Sequence, residues 1–281
     1  MPYPWAVGDV LHATDLNSAI AAAAAGAGPG LPIAGIAGYL FGLTMSNDVG
    51  TPDTLLDIAA GACADSTGTV MITLGAFTKS IAGAWAAGSG QNGMGGGLTA
   101  TASTWYHVFA CINAGVSDVF FDTSATGSHA PIGTTALRRI GSIRLDPLVH
   151  ILSFSQMGDR FDRGAPLQEF NGVPGATTAA TVTLAGVPAG LPIQALLTGY
   201  GVDATPAQGI LYVSSLSQAD NAPTLGGAYM TAQWGINLGN VTTFAATVPT
   251  NASAQVRRRV STATCTIIIN SVGWIDQRGR F

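Results

Sequence analysis

Catalysis needs acids, bases or nucleophiles that converge, and this sequence offers few. Its histidines are His12, His107, His129 and His150, and none belongs to an HExxH array or a close pair. No Gly-x-Ser-x-Gly elbow presents a serine nucleophile. Glu169 is the one glutamate, so a glycosidase pair would draw on aspartates, for example Asp118 and Asp122. Four residues apart on one strand, they share a face but stand about 13 Å apart by strand rise. That exceeds the separation either class of glycosidase uses. Asp159, Asp162 and Asp276 lie close to arginines and suit turns or salt bridges. His107, set among aromatics, reads as a core or interface histidine. Cys63, Cys111 and Cys265 are widely separated among small or apolar residues, the pattern of buried thiols rather than of a zinc site. No calcium loop of the D-x-[DN]-x-[DN]-G type occurs. The residues thus predict no catalytic centre, no metal site and no cofactor.

Binding is the better-supplied chemistry. The stretch Gly88–Gly97 (GSGQNGMGGG) lacks the Lys-Ser or Lys-Thr of a Walker loop and the strand–helix setting of a dinucleotide fingerprint. It reads as a flexible hairpin tip. Trp5, Trp85, Trp105, Trp234 and Trp274 could stack on sugars, although tryptophans in β-domains more often fill cores. Trp85, beside the Gly-rich loop, is the best placed of them for a ligand. Loops held by a rigid scaffold commonly carry recognition, and three are candidates: Gly88–Gly97, Ser124–Gly133 and Ser217–Gly227. The predicted contact residues are Trp85, Gln91, Asn92, Ser128, His129 and Asn221.

The elements that would hold these loops are strands. Trp105–Asn113 and Asp118–Asp122, joined by Ala114-Gly115-Val116-Ser117, spell a hairpin. Leu137–Leu145 alternates imperfectly and suits a half-buried third strand. Further runs fall at Leu55–Ala60, Val70–Leu74, Thr177–Leu184, Ile193–Thr198, Gly209–Ser214, Tyr229–Trp234, Thr242–Val248, Ala254–Val260 and Thr264–Asn270. Ile267, Ile268 and Ile269 read as a fully buried segment. The expected fold is mainly β: tandem antiparallel β-sandwich (jelly-roll-like) domains behind a short N-terminal helix or arm. Residues 1–44 form the arm and connector, 45–164 the first sandwich and 173–281 the second. The halves echo one another, with Val119–Ser124 resembling Ile210–Ser215 and Ala136–Ile140 resembling Gln255–Val260.

Composition sets the partners. Charged residues make up 9% of the chain, against roughly 25% in an average soluble protein. Net charge is −4 and Lys79 is the one lysine, which argues against nucleic acid as a partner. Arg138-Arg139 and Arg257-Arg258-Arg259 cluster, but neighbours on a strand point to opposite faces. So little charge leaves a monomer poorly protected against self-association, and surface buried between subunits is expected. The longest apolar stretch, Ala19–Tyr39, is Gly-rich and broken by Pro29 and Pro32, so no membrane insertion is expected. The opening residues lack the basic region of a secretory signal. Thr14-Asp15-Leu16-Asn17 offers helix N-caps ahead of the Ala-rich run Ser18–Ala25, a surface suited to packing against another chain.

Three segments carry a resemblance. WAVGDVLHATDLN (Trp5–Asn17) is similar to the start of many tailed-bacteriophage virion proteins. TWYHVFACINAGVSDVFFDTSATG with TALRRIGSIRLD, and the close SAQVRRRVSTATCTIIINSVGWIDQRGRF, resemble modules of phage tail-fibre and spike proteins. The resemblance implies a homotrimeric virion structural protein. Its arm (Trp5, Val10, Leu11, Leu16) would attach it to other virion proteins, and its β-domains would bind a host surface glycan or protein. A head fibre or capsid-decoration role, and a glycan-degrading spike enzyme, are the alternatives. The implied location is the virion, on the tail or the capsid surface, after assembly in the host cytoplasm.

Overall fold

The computed structural model describes residues 38–203, 209–224, 229–234 and 241–280. Among them every regular element is a strand. The expected helix and arm, with Trp5, Val10, Leu11 and Leu16, lie outside the described residues, as does the end of the Ser217–Gly227 loop.

The first sandwich packs a small sheet on a large one. β1 (Leu40–Gly42), β4 (Gly61–Ala64) and β5 (Met71–Leu74) form the small sheet. The large sheet has seven strands, ordered β10 (Thr134–Arg144), β8 (Trp105–Asn113), β9 (Val116–Asp122), β7 (Asn92–Met94), β6 (Phe77–Ala84), β3 (Leu55–Ile58) and β2 (Met45–Asn47). β5 lies over β8 and β9. Strand alternation turns Tyr106, Val108, Ala110 and Ile112 of β8 into this core. His107, Phe109 and Cys111 face the other way, yet they are buried too. A strand so apolar on both sides needs cover on both.

The second sandwich repeats the plan with different proportions. Its five-stranded sheet runs β11 (Phe154–Met157), β12 (Arg160–Gly172), β19 (Cys265–Ile275), β14 (Gln194–Asp203) and β17 (Val241–Pro249). Its four-stranded sheet runs β13 (Ala180–Thr183), β18 (Gln255–Val260), β15 (Gly209–Ser214) and β16 (Ala232–Trp234). β19 alternates: Ile267 and Ile269 are fully buried, whereas Ile268 is only half-buried. The expected all-buried triplet is therefore a one-sided strand, because only one face of this sheet meets the opposing sheet. The arginines of β18 split as expected, with Arg258 buried over the Phe170 ring and Arg257 and Arg259 on the opposite face.

Two features differ from the sequence reading. The segment expected to separate the domains, residues 165–172, lies inside β12 and pairs with β19. The connection between the sandwiches is instead the turn between β10 and β11. The echo between the halves is not one of pairing either: β15 and β18 are hydrogen-bonded neighbours, whereas β8 separates β9 from β10.

The sandwiches are joined by aromatic packing. Trp274 stacks on Phe161 at 5.1 Å and meets Trp105 edge-on at 5.1 Å. Each such pair adds about 0.5–1.5 kcal/mol beyond the area it buries. The Trp105 indole N–H donates to the Ala185 carbonyl at 3.0 Å. Edge strands β2 and β11 also meet, through the Met45 N–H and the Gln156 side-chain carbonyl (2.7 Å).

Candidate functional site

The outer face of the seven-stranded sheet gathers most of the polar groups the sequence singles out. β8, β9 and β10 turn His107, Phe109, Cys111, Asp118, Phe120, Asp122 and Arg139 toward it. Phe109 and Phe120 stack at 5.0 Å, with Trp85, Ala130 and Leu137 packed around them. Lys79 of β6 lies fully buried beside this cluster. Its ammonium meets Asp118 Oδ1 at 2.6 Å and donates to the Ala86 and Gly88 carbonyls at 2.8 and 3.1 Å. It also stands 5.3 Å from the Trp85 ring. Burial lowers the Lys79 pKa, and the Asp118 partner opposes the shift.

The Gly-rich loop is not the flexible tip that its composition suggests. Its middle is β7, which pairs in parallel with β6 on one side and β9 on the other. Glycine is required there for close approach: a Cβ on Gly93 would stand 2.6 Å from Lys79 Cγ and 2.9 Å from the Phe121 ring. The rest is pinned by hydrogen bonds from the Gly88 N–H to Asp118, Gly90 to the Thr78 carbonyl and Gly96 to the His129 carbonyl. The last of these ties the Gly88–Gly97 loop to the Ser124–Gly133 loop.

Beside these loops, where the second sandwich abuts the first, a cleft of about 410 Å³ opens. Ser66, Phe109, Ala125, Thr126, Arg138, Arg139, Gly190, Leu191 and Gly279 line it. Gly279 brings the segment after β19 to its edge. Asp276 takes two hydrogen bonds from the Arg139 guanidinium, at 2.7 and 2.5 Å. Burial works to raise the Asp276 pKa, but Arg139 and the Arg278 N–H hold it below the ordinary value. Arg278 spends its guanidinium on backbone carbonyls: Ile140 at 2.8 Å, Gly42 at 3.1 Å and Leu43 at 2.6 Å. Burial brings its pKa down to about 10. His107 closes the row, with its Nδ1 at 2.9 Å from the Ser142 hydroxyl. Burial, aided by the nearby Arg139 charge, pushes its pKa down to about 4.

The predicted contact residues divide. Trp85, Asn92, Ser128 and His129 come together around the two stitched loops, with Gln91 exposed at their margin. Trp85 gives its N–H to the Val119 carbonyl (3.1 Å) and its ring to Lys79, so it serves the loop's anchorage. His129 bonds Asp122 at 2.8 Å. Asn221 follows β15 on the four-stranded sheet, away from this group. The expected aspartate roles are visible: Asp162 pairs with Arg160, Asp159 with Arg280 and Asp276 with Arg139. All three cysteines are buried thiols, and burial pushes Cys63 and Cys111 up to about 12. Such thiols are poor nucleophiles and poor metal ligands. Among the described residues no group of three or more His, Cys, Asp or Glu converges as a metal site, and no helix is long and apolar enough to cross a membrane.

Sequence reasoning did not find the cleft. One signal was present: Arg138-Arg139 inside a strand-forming run must send one guanidinium to each face, and each then needs a partner. No protein-family model and no curated protein sequence matches this chain.

Proposed function

We propose that this chain is a bacteriophage virion structural protein that displays two locked β-sandwiches for contact with the host surface. It works as a homotrimer held to other virion proteins by its N-terminal arm. The observation that carries the binding role is the cleft between the sandwiches. Its rim is the Ser124–Gly133 loop, held by Asp122 and by the Gly-rich loop rather than free to move. Its lining mixes hydroxyls, an aromatic edge and guanidinium groups, the combination that sugars engage. Beside the same loop, Val116 and Ile132 are 66% and 100% exposed, which adds apolar contact area at the tip of the β8–β9 hairpin. The sequence resemblance to tail-fibre and spike proteins supplies the virion setting.

Immobilised protein should capture purified bacterial surface polysaccharide in biolayer interferometry, and antibodies against residues 45–280 should decorate intact phage particles. Failure of both would sink the reading. Deleting residues 1–30 should leave a soluble, folded body that no longer joins particles. Normal incorporation of the truncated protein would remove the arm from the account.

A further inference from the structure

The one lysine of the chain is also its most deeply buried amine. The Lys79 side chain is 0% exposed and that of its partner Asp118 3%. The Phe77 and Trp85 rings stand 5.5 and 5.3 Å from the ammonium, so the pair sits in apolar surroundings. The two residues belong to β6 and β9, with β7 between them. The lysine stem crosses β7 at Gly93, where a Cβ would stand 2.6 Å from Lys79 Cγ. Two charges taken so far from water recover their desolvation penalty poorly.

The contacts around the pair resemble the start of a reaction. Nζ lies 2.6 Å from Asp118 Oδ1. The Ala86 and Gly88 carbonyls accept its other N–H bonds at 2.8 and 3.1 Å. Transfer of the third proton to Oδ1 therefore leaves the nitrogen lone pair facing the carboxyl group. Both carboxyl oxygens accept backbone N–H bonds, Oδ1 from Val119 at 2.6 Å and Oδ2 from Gly88 at 2.7 Å. Donors so placed stabilise an oxyanion on the same carbon. Burial lowers the Lys79 pKa, which favours the neutral amine.

We propose that Lys79 and Asp118 condense into an amide, a cross-link that the folded chain makes for itself. The ammonium passes one proton to Oδ1, and the neutral amine attacks Cγ. The new N–C bond pushes electrons onto Oδ2, where the Gly88 N–H stabilises them. As they return, the Cγ–Oδ1 bond breaks, and Oδ1 leaves as water with a second proton from the nitrogen. One ammonium and one carboxylate become one amide and one water, with no oxidant, reductant or cofactor. The ion pair is the state in which the chain folds, and the amide follows from it. Condensation replaces two buried charges by a neutral group and so removes their desolvation penalty. The bond closes a loop from residue 79 to residue 118 that contains the Gly-rich segment. All three cysteines are free, so no disulfide provides such a constraint.

Intact mass spectrometry of the full chain, denatured after long incubation in the folded state, tests this. The wild type should weigh one water less than its sequence, and Asp118→Ala should show no such loss. Because Lys79 is the one lysine, endoproteinase Lys-C gives a second readout. Denatured wild type should resist it, since an amide at Nζ abolishes the cleavage site, whereas D118A should be cut once. Should D118A fail to fold, fragment sequencing of wild-type digests still decides, because a branched peptide must join Lys79 to Asp118. A wild type that keeps its full mass overturns the proposal. So does a water loss that persists in D118A, a wild type that Lys-C cuts after Lys79, or a branch joined at any other residue.

Discussion

At the residue scale, the buried titratable groups decide how this protein meets acid. His107 is 1% exposed, and the groups facing it are Ser142, Arg139, Asp276, Asp122 and the Ala189 backbone. Its pKa falls from 6.5 to about 4 on folding. Between those values the unfolded chain binds the proton and the folded chain does not. Stability from this group is therefore complete above pH 6.5 and is lost as pH drops toward about 4. The full shift corresponds to about 3 kcal/mol. Urea denaturation across pH 4–7 should show that decline, and His107→Gln, which cannot titrate, should flatten it. Lys79 and Asp118 make a second case. Lys79→Met leaves a buried carboxylate with only the Gly88 and Val119 N–H donors, and should cost about 3–5 kcal/mol. Lys79→Met with Asp118→Leu should cost less than the single change, because removing both charges removes the desolvation penalty with the attraction. A double variant less stable than Lys79→Met would show that the pair stabilises the fold outright.

At the element scale, β19 binds the molecule together. It pairs with β12 and β14, and its end delivers Trp274 to Phe161 and Trp105. Trp274→Ala should cost about 3–5 kcal/mol in equilibrium unfolding. A loss below about 1 kcal/mol would mean the aromatic cluster reforms without it. Strands like this were legible in the sequence because apolar runs with turn punctuation report them directly. Gly209–Ser214 has its expected bounds, and the β8–β9 hairpin differs from expectation by two residues at the start of β9. β7 was not legible: Asn92-Gly93-Met94 has no strand propensity and is ordered by neighbours on both edges. β12 was hidden for the opposite reason. Gly164, Pro166 and Gly172 spell turns locally, yet pairing with β19 carries the chain through them, with register shifts marking the interruptions. The cleft could not be read at all, since Arg138, Gly190 and Gly279 meet only after both sandwiches have folded.

At the scale of the whole molecule, the question is whether two sandwiches behave as one body. Domains joined by a turn are expected to move unless their interface is extensive and well packed. Here the interface is keyed by the segment after β19, which leaves the second sandwich and plugs the open edge of the first. Asp276 grips Arg139 of β10, and Arg278 reaches the β1–β2 turn and Ile140. These contacts are buried, so salt screens them little. They are also mutually dependent: Arg278 bonds Asp276 through its N–H and Arg138 through its carbonyl. Wild-type protein should therefore unfold in a single calorimetric transition. Asp276→Ala leaves Arg139 buried with only the Ser142 hydroxyl, and Arg278→Ala empties the plug. The double variant should split the transition into two, one per sandwich, since each keeps its own opposed sheets. It should also lose the cleft, because one wall belongs to each sandwich. If the variant still melts in one step, shifted lower by several kcal/mol, cooperativity resides in the Trp105–Phe161–Trp274 cluster, and the ionic plug sets cleft geometry rather than coupling. A split transition would mean that the rigidity of the cleft depends on a few charged residues at the end of β19, far in sequence from the loop that forms its rim.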